Sequence, residues 1–168
     1  NPYVACLLVI NDNIIGRGIH TGAGKKHAEL EALDNLPKCY DRSKITLYVN
    51  LEPCCHFNKR TPPCAQFLIK EGIKKVVIGS KDPNFEVSGK GIDLLRENGV
   101  SVIESILEAE CININKIFFK NMQHGLPYFH GKVGSSLDGK IATSSGVSKW
   151  ITSPESRKKC HEERLLYD

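Results

Sequence analysis

The chain opens on an apolar run, Tyr3 to Ile10, that stops at the polar triplet Asn11-Asp12-Asn13. A short run rich in Val, Leu and Ile, closed by a turn signal, reads as a buried strand over Val4 to Ile10. Ile14 to Ile19 reads as a second strand, so the pair predicts a hairpin. The period then changes. Between His27 and Leu36 the apolar residues fall at 28, 30, 32, 33 and 36, a helical stripe that Pro37 ends. Ile45 to Leu51 alternates and predicts a third strand. Pro62-Pro63 suits the first turn of a helix running to about Glu71, with Gly72 as its stop. Val76 to Gly79 predicts a short buried strand, and Gly91 to Asn98 a helix that Gly99 closes. Val100 to Ile103 predicts another strand, and Ile106 to about His124 one longer helix. Two strands followed by repeated helix-strand units predict an α/β sheet layered with helices.

Gly125-Leu126-Pro127 interrupts this pattern. Beyond it the residues predict a strand over Tyr128 to Gly134, a turn at Asp138-Gly139 and a polar helix over Ser153 to Asp168. About forty residues are too few to bury a core of their own. The expected organisation is a domain over 1–124, with 125–168 an appendage or the start of a second domain.

Composition narrows the class only slightly. In 168 residues, 40% are hydrophobic and 25% charged, ordinary values for a globular protein. No apolar run approaches the roughly 18 residues needed to cross a bilayer, so no membrane partner is expected. The chain begins Asn1-Pro2 without Met, which fits a fragment. A net charge of +4 reads as a mildly basic surface, with a phosphate-bearing ligand as its functional counterpart. A nucleic-acid partner would call for a stronger basic stripe, and none is expected.

The cysteines change the picture more. There are seven, at 6, 39, 54, 55, 64, 111 and 160. An odd count with an adjacent pair is a poor disulfide framework and fits a reducing compartment. Cys6, Cys39, Cys111 and Cys160 have no partner by spacing and read as small hydrophobes. Cys54 and Cys64 are different, because His27-Ala28-Glu29, Pro53-Cys54 and Pro62-Pro63-Cys64 form a constellation. Imidazole and thiolate are good zinc ligands, and a catalytic zinc keeps three protein ligands and a position for water. Zinc lowers the pKa of that water to about 7, and Glu29 is the carboxylate that could move its proton to a departing amine. Cys64 falls in the first turn of its predicted helix, where exposed N–H groups and the dipole favour a thiolate. Positions two apart in a regular helix point to nearly opposite sides. His27 and Glu29 can therefore serve one metal only at the irregular first turn. A structural zinc pair with His56, or two core thiols, is the alternative. A His-x-Glu followed by Pro-Cys and a further Cys is the pattern of zinc deaminases. Here nine residues, Cys55 to Pro63, separate the cysteines, which excludes a plain cytidine-deaminase loop.

The segment LEPCCHFNKRTPPCA resembles the deaminase domain of the bifunctional riboflavin-biosynthesis deaminase-reductase family. Asn1-Pro2-x-Val4, Gly24-x-x-His27-Ala28-Glu29, Asp82-Pro83-Asn84 and Val87-x-Gly89-x-Gly91 match it too, and SSLDGKIATSSGVSKWIT looks like the opening of its reductase domain. The resemblance implies a cytidine-deaminase-like three-layer α/β/α fold with a central mixed sheet of about five strands. Residues 1–124 would be the zinc-dependent deaminase domain without the family's first helix. Residues 125–168 would be a linker and the truncated start of a dihydrofolate-reductase-like domain.

The resemblance further implies hydrolytic deamination of 2,5-diamino-6-ribosylamino-4(3H)-pyrimidinone 5′-phosphate in the cytoplasm. Asn1 and His56 match groups at the pyrimidine, and Asp82 and Asn84 match groups that hold the sugar. Arg60 and Thr61 match a basic-Thr pair near the phosphoribosyl end, with Lys59 the alternative for the basic position. In the reductase part, Gly134, Ser148 and Trp150 match contacts to NADPH or substrate, and Arg164 a substrate contact. Zn2+ is the implied cofactor, and NADPH only where the reductase domain is complete, so no reductase activity is expected of this stretch alone. A homo-oligomer or a separate reductase chain is the implied partner. The competing readings are a nucleoside or nucleic-acid deaminase, which the long inter-cysteine loop disfavours, and a non-catalytic zinc-stabilised module, which Glu29 disfavours.

Overall fold

A computed structural model of the chain describes residues 1–37, 39–55, 63–85 and 87–165. The first apolar run forms β1 (Ala5–Ile10), and it turns back into β2 (Asn13–Ile19) as an antiparallel pair. Asn11 and Asp12 both take positive φ, 48° and 61°. That is the type I′ geometry whose twist matches a hairpin, and Asn and Asp tolerate it better than most residues. Helix α1 (Ala28–Asp34) follows, then β3 (Thr46–Leu51), α2 (Cys64–Lys70), β4 (Lys75–Ser80), α3 (Lys90–Glu97) and β5 (Ser101–Ile103). Gly72, just past α2, sits at φ 78° and supplies the left-handed stop.

The strands form one sheet in the order β2-β1-β3-β4-β5. β1 pairs antiparallel with both β2 and β3, whereas β3-β4 and β4-β5 are parallel, so the sheet is mixed. Its alternation divides the layers. Leu8, Leu47, Val49, Val76 and Ile78 join Ala28, Ala32, Ala65, Leu68, Ile92 and Leu95 of α1, α2 and α3 in the main core. The opposite face of β4 meets the next helix, α4 (Glu108–Ile114). A Cβ on Gly79 would overlap the Cys111 sulfur there, so glycine sets that approach. Helices on both faces make the three-layer α/β/α sandwich that the family resemblance implies.

Two expectations fail. The single helix expected over Ile106 to His124 is two, α4 and α5 (Lys116–His124), broken at Asn115. The cause is tertiary. Asn115 is 2% exposed. Its side-chain oxygen accepts from Tyr3 N at 2.7 Å and its amide donates to Tyr3 O at 3.0 Å. Asn50 reinforces the same segment, donating to Tyr3 O at 2.8 Å and accepting from Ala5 N at 2.8 Å. The two asparagines thus fix the backbone just after Asn1. Asn115→Leu keeps the branching and the number of side-chain heavy atoms but leaves Tyr3 N–H unpaired. We expect it to cost about 1–3 kcal/mol, read as a lower urea midpoint with an unchanged m-value.

The second failure is the strand expected over Tyr128 to Gly134, which takes no regular structure. The chain divides into two compact units, Asn1–Tyr128 and Phe129–Asp168. Within the second unit no strand pairs with this run among the described residues, and a strand without a ladder has nothing to hold it. Phe129 and Val133 are exposed. Two tight turns follow, closed by Ser136 N to Lys140 O and Thr143 N to Val147 O, both 2.9 Å. The unit ends in α6 (Pro154–Arg164), capped by Ser153, which accepts from Ser156 N at 3.2 Å. Among the described residues no helix is long and apolar enough to cross a membrane.

Candidate active site

His27 is the N-cap of α1, with extended backbone at φ −73° and ψ 157°, and Glu29 is the second residue of the helix proper. The non-helical cap breaks the opposite-sides rule and lets both side chains serve one place, as the irregular first turn requires. Cys64 opens α2 directly after Pro63, and Cys54 lies just past the end of β3. Cys64 N–H donates to Cys54 Sγ at 3.4 Å, so the start of α2 faces the second thiol.

The three side chains converge. His27 Nδ1, Cys54 Sγ and Cys64 Sγ all lie within 4.8 Å of one another. Nδ1 is 3.1 Å from Cys64 Sγ and 3.6 Å from Cys54 Sγ. A tetrahedral zinc with ordinary bond lengths needs a nitrogen-sulfur separation of about 3.6 Å, so the observed pair lies at or just inside it. The electrostatics agree. Cys64's thiol pKa is pushed up by its hydrogen bond with Cys54, then by burial and by the Glu29 charge. Burial, helped by Cys54, raises the Glu29 carboxyl against the lowering effects of a backbone hydrogen bond, His27 and Cys64. Several groups that ionise to anions crowd one buried spot, and a divalent cation is the partner that balances them. The donor set fits zinc.

A cleft of about 320 Å³ opens onto this cluster. His27, Glu29 and Cys54 line it, together with Asn1, Asp82 and Asn84. Six of the residues singled out in the sequence are thus gathered on one cleft, and Cys64 lies 3.1 Å from His27 without lining it. His56, Arg60 and Thr61, and the alternative Lys59, lie outside the described residues. Gly134, Ser148, Trp150 and Arg164 belong to the second unit. There Gly134 is half-buried, a Cβ on it meeting Thr152 Cγ2 at 3.4 Å, and the other three are exposed. The Arg157 guanidinium stacks on Trp150, 4.2 Å from its ring centroid.

Several lining residues escape the motif reading. His20 borders the cleft, its Nδ1 3.0 Å from Lys26 O and its ring edge-on to His27 at 5.2 Å. Phe118 and Met122 of α5 add apolar wall. Glu52 borders it too and is buried, accepting backbone hydrogen bonds from four residues. It stands within the LEPCC segment, a carboxylate between the inward Leu51 and the Pro-Cys step, where the motif carries no stated role for it. None of the seven cysteines is in a disulfide among the described residues.

Comparison with known proteins agrees with this geometry. The family described as the cytidine and deoxycytidylate deaminase zinc-binding region matches residues 1–80, and the RibD C-terminal domain matches residues 127–168. The riboflavin biosynthesis protein RibD of Actinobacillus pleuropneumoniae is 47% identical over 167 residues, covering 99% of this chain and 44% of that protein. The RibD of Escherichia coli is 43% identical, over 94% of this chain and 42% of its own length. A crystal structure of a diaminohydroxyphosphoribosylaminopyrimidine deaminase/5-amino-6-(5-phosphoribosylamino)uracil reductase from Thermotoga maritima superposes with a TM-score of 0.90 at 42% identity. It covers 99% of this chain and 47% of that one. The chain spans less than half the length of these relatives.

Proposed function

Because the chain belongs to the riboflavin-biosynthesis deaminase-reductase family over the stretch it covers, we propose that it is a zinc-dependent pyrimidine deaminase. Its substrate is 2,5-diamino-6-ribosylamino-4(3H)-pyrimidinone 5′-phosphate and its product 5-amino-6-(5-phosphoribosylamino)uracil. The observation that carries this is the His27, Cys54 and Cys64 triad with Glu29 buried beside it at one cleft.

His27, Cys54 and Cys64 would hold zinc, which supplies the Lewis acidity that makes a hydroxide nucleophile available at neutral pH. Glu29 does the proton work. Its carboxylate takes a proton from the attacking water as a C–O bond forms at the carbon bearing the 2-amino group. It passes that proton to the adjacent ring nitrogen, then takes the remaining proton of the added hydroxyl and delivers it to the amine, so that the C=O bond forms as the C–N bond breaks and ammonia leaves. Burial suits it to this, because a carboxyl held above its ordinary range gives up a proton less readily and so can carry one. Asn1 at the pyrimidine and Asp82 and Asn84 at the sugar orient the substrate from the cleft walls.

Residues 1–124 act as the deaminase domain in this reading, and 125–168 as a linker and the opening of a reductase domain. No NADPH-dependent step is assigned to the 42 residues that match the C-terminal domain. A cytoplasmic location fits the absence of disulfides among the described residues.

The test is direct. The purified, zinc-loaded chain should release ammonia from the phosphoribosyl pyrimidine and leave cytidine and RNA untouched. A folded, zinc-loaded protein that releases none sinks the reading, and release from cytidine or RNA instead would move it to a nucleoside or nucleic-acid deaminase.

A further inference from the structure

We propose that Glu52 is a positioning residue for the substrate-holding loop. Its carboxylate fixes Asp82, Gly89, Gly91 and Ile92 against the strand end that carries Cys54, and thereby sets where Asp82 and Asn84 meet the substrate. This rests on the reading that Asp82 and Asn84 hold the sugar.

Glu52 is 3% exposed. Its Oε1 accepts from Gly91 N at 2.9 Å and Ile92 N at 3.3 Å, and its Oε2 from Gly89 N at 2.9 Å and Asp82 N at 3.2 Å. A carboxylate offers about four acceptor sites, and backbone N–H groups meet four of them. The loop is shaped to permit this. Gly89 takes φ 80°, in the left-handed region that glycine favours. A Cβ on Gly91 would overlap Pro53 O and sit 3.1 Å from Glu52 Oε1, so only glycine lets the chain come that close. Two of the four donors also belong to the first turn of α3, whose dipole favours an anion.

The restraint reaches the cleft in short steps. Glu52 N–H donates to Ser80 O at 2.9 Å, tying together the ends of β3 and β4. Asp82 is held through its own N–H, and its Oδ1 then accepts from Asn84 N at 2.9 Å. Two residues further along the chain from Glu52, Cys54 enters the metal cluster. One carboxylate therefore fixes the distance between the metal side of the cleft and the sugar side.

Glutamine cannot take this place although it has the same shape. Each oxygen accepts two N–H groups, so either orientation of the amide turns an NH2 donor towards two donors. In the Glu52→Gln variant, amide exchange at Gly89, Gly91 and Ile92 should quicken by about tenfold or more. Amides of β1 and α1 should keep their protection, and zinc content should not change. KM should rise about tenfold with kcat within about threefold, the signature of lost uniform binding. In an Asp82→Ala, Asn84→Ala background the same substitution should add less than about twofold to KM, because the residues it acts through are gone.

Unchanged loop exchange, a KM effect fully additive with the loop substitutions, or a fall confined to kcat would each overturn the proposal. If Glu52→Gln does not fold, Glu52→Asp keeps the charge but withdraws it by one methylene. A folded Glu52→Asp protein with normal loop exchange and normal KM overturns the proposal equally. Absence of ammonia release from the wild-type chain counts against the deaminase reading, while the exchange arm separately decides whether Glu52 holds the loop.

Discussion

Replacing Glu29 with glutamine should lower ammonia release by about 10²–10⁴-fold, the usual contribution of a positioned general acid-base group. The protein should meanwhile keep its full zinc content. The two halves of this expectation test different things. Glu29 is not among the three converging ligands, so removing its charge leaves the donor set intact. Its shape is kept, so the packing at the start of α1 is kept as well. Only the ability to carry a proton is lost. Stability should hold or rise, because the side chain is 3% exposed and its carboxyl is disfavoured by burial before any other influence. The measurements are ammonia release at saturating substrate, metal content by atomic absorption, and the thermal midpoint. A variant that loses zinc together with activity would make Glu29 a ligand rather than a shuttle. One that keeps more than a tenth of the rate would place the proton transfer on another group.

The metal cluster was legible in the sequence because zinc chemistry restricts residue type. Few side chains can serve as ligands, and the start of α1, the end of β3 and the start of α2 announced themselves through periodicity and through Pro53 and Pro63. The α/β sheet layered with helices was legible for a related reason. The core positions of β1, β3 and β4 follow the strand pattern, and α1 shows a helical stripe.

What escaped shares a different physical cause. Asn115 interrupts a helical stretch that nothing local opposes, since asparagine is only mildly unfavourable in a helix. The break is enforced by the backbone of Tyr3, 112 residues away in sequence. The run from Tyr128 has strand-forming residues but no ladder, and pairing partners leave no mark within the run itself. Glu52 was passed over because its partners are backbone N–H groups, which carry no residue identity. Only Gly89 and Gly91 hint that something approaches closely there.

Gly18→Ala should be among the most damaging single-atom additions to this fold, costing about 3 kcal/mol, the top of the ordinary range for core overpacking, because backbone is struck. Gly16 and Gly18 of β2 face α1, and Ala28 and Ala32 face them in return. A Cβ on Gly18 would overlap the Ala28 carbonyl oxygen and come within 2.5 Å of Ala32 N. At Gly16 the tightest neighbour is Leu8 Cδ1, at 2.9 Å, the movable end of a side chain. The Gly16 change should therefore be milder. At Gly18 the obstacle is the helix backbone, which cannot rotate away, so the first turn of α1 must shift. That turn carries His27 and Glu29, so the damage extends beyond stability. We expect a drop in thermal midpoint of roughly 10 °C, together with weaker zinc retention against a chelator. Gly131→Ala, where a Cβ meets nothing within 4 Å, supplies the neutral comparison. A Gly18→Ala protein as stable as the wild type, with zinc held equally well, would mean that α1 does not depend on the bare β2 surface for its seat. The link from a two-glycine strand to the position of the metal ligands would then be lost.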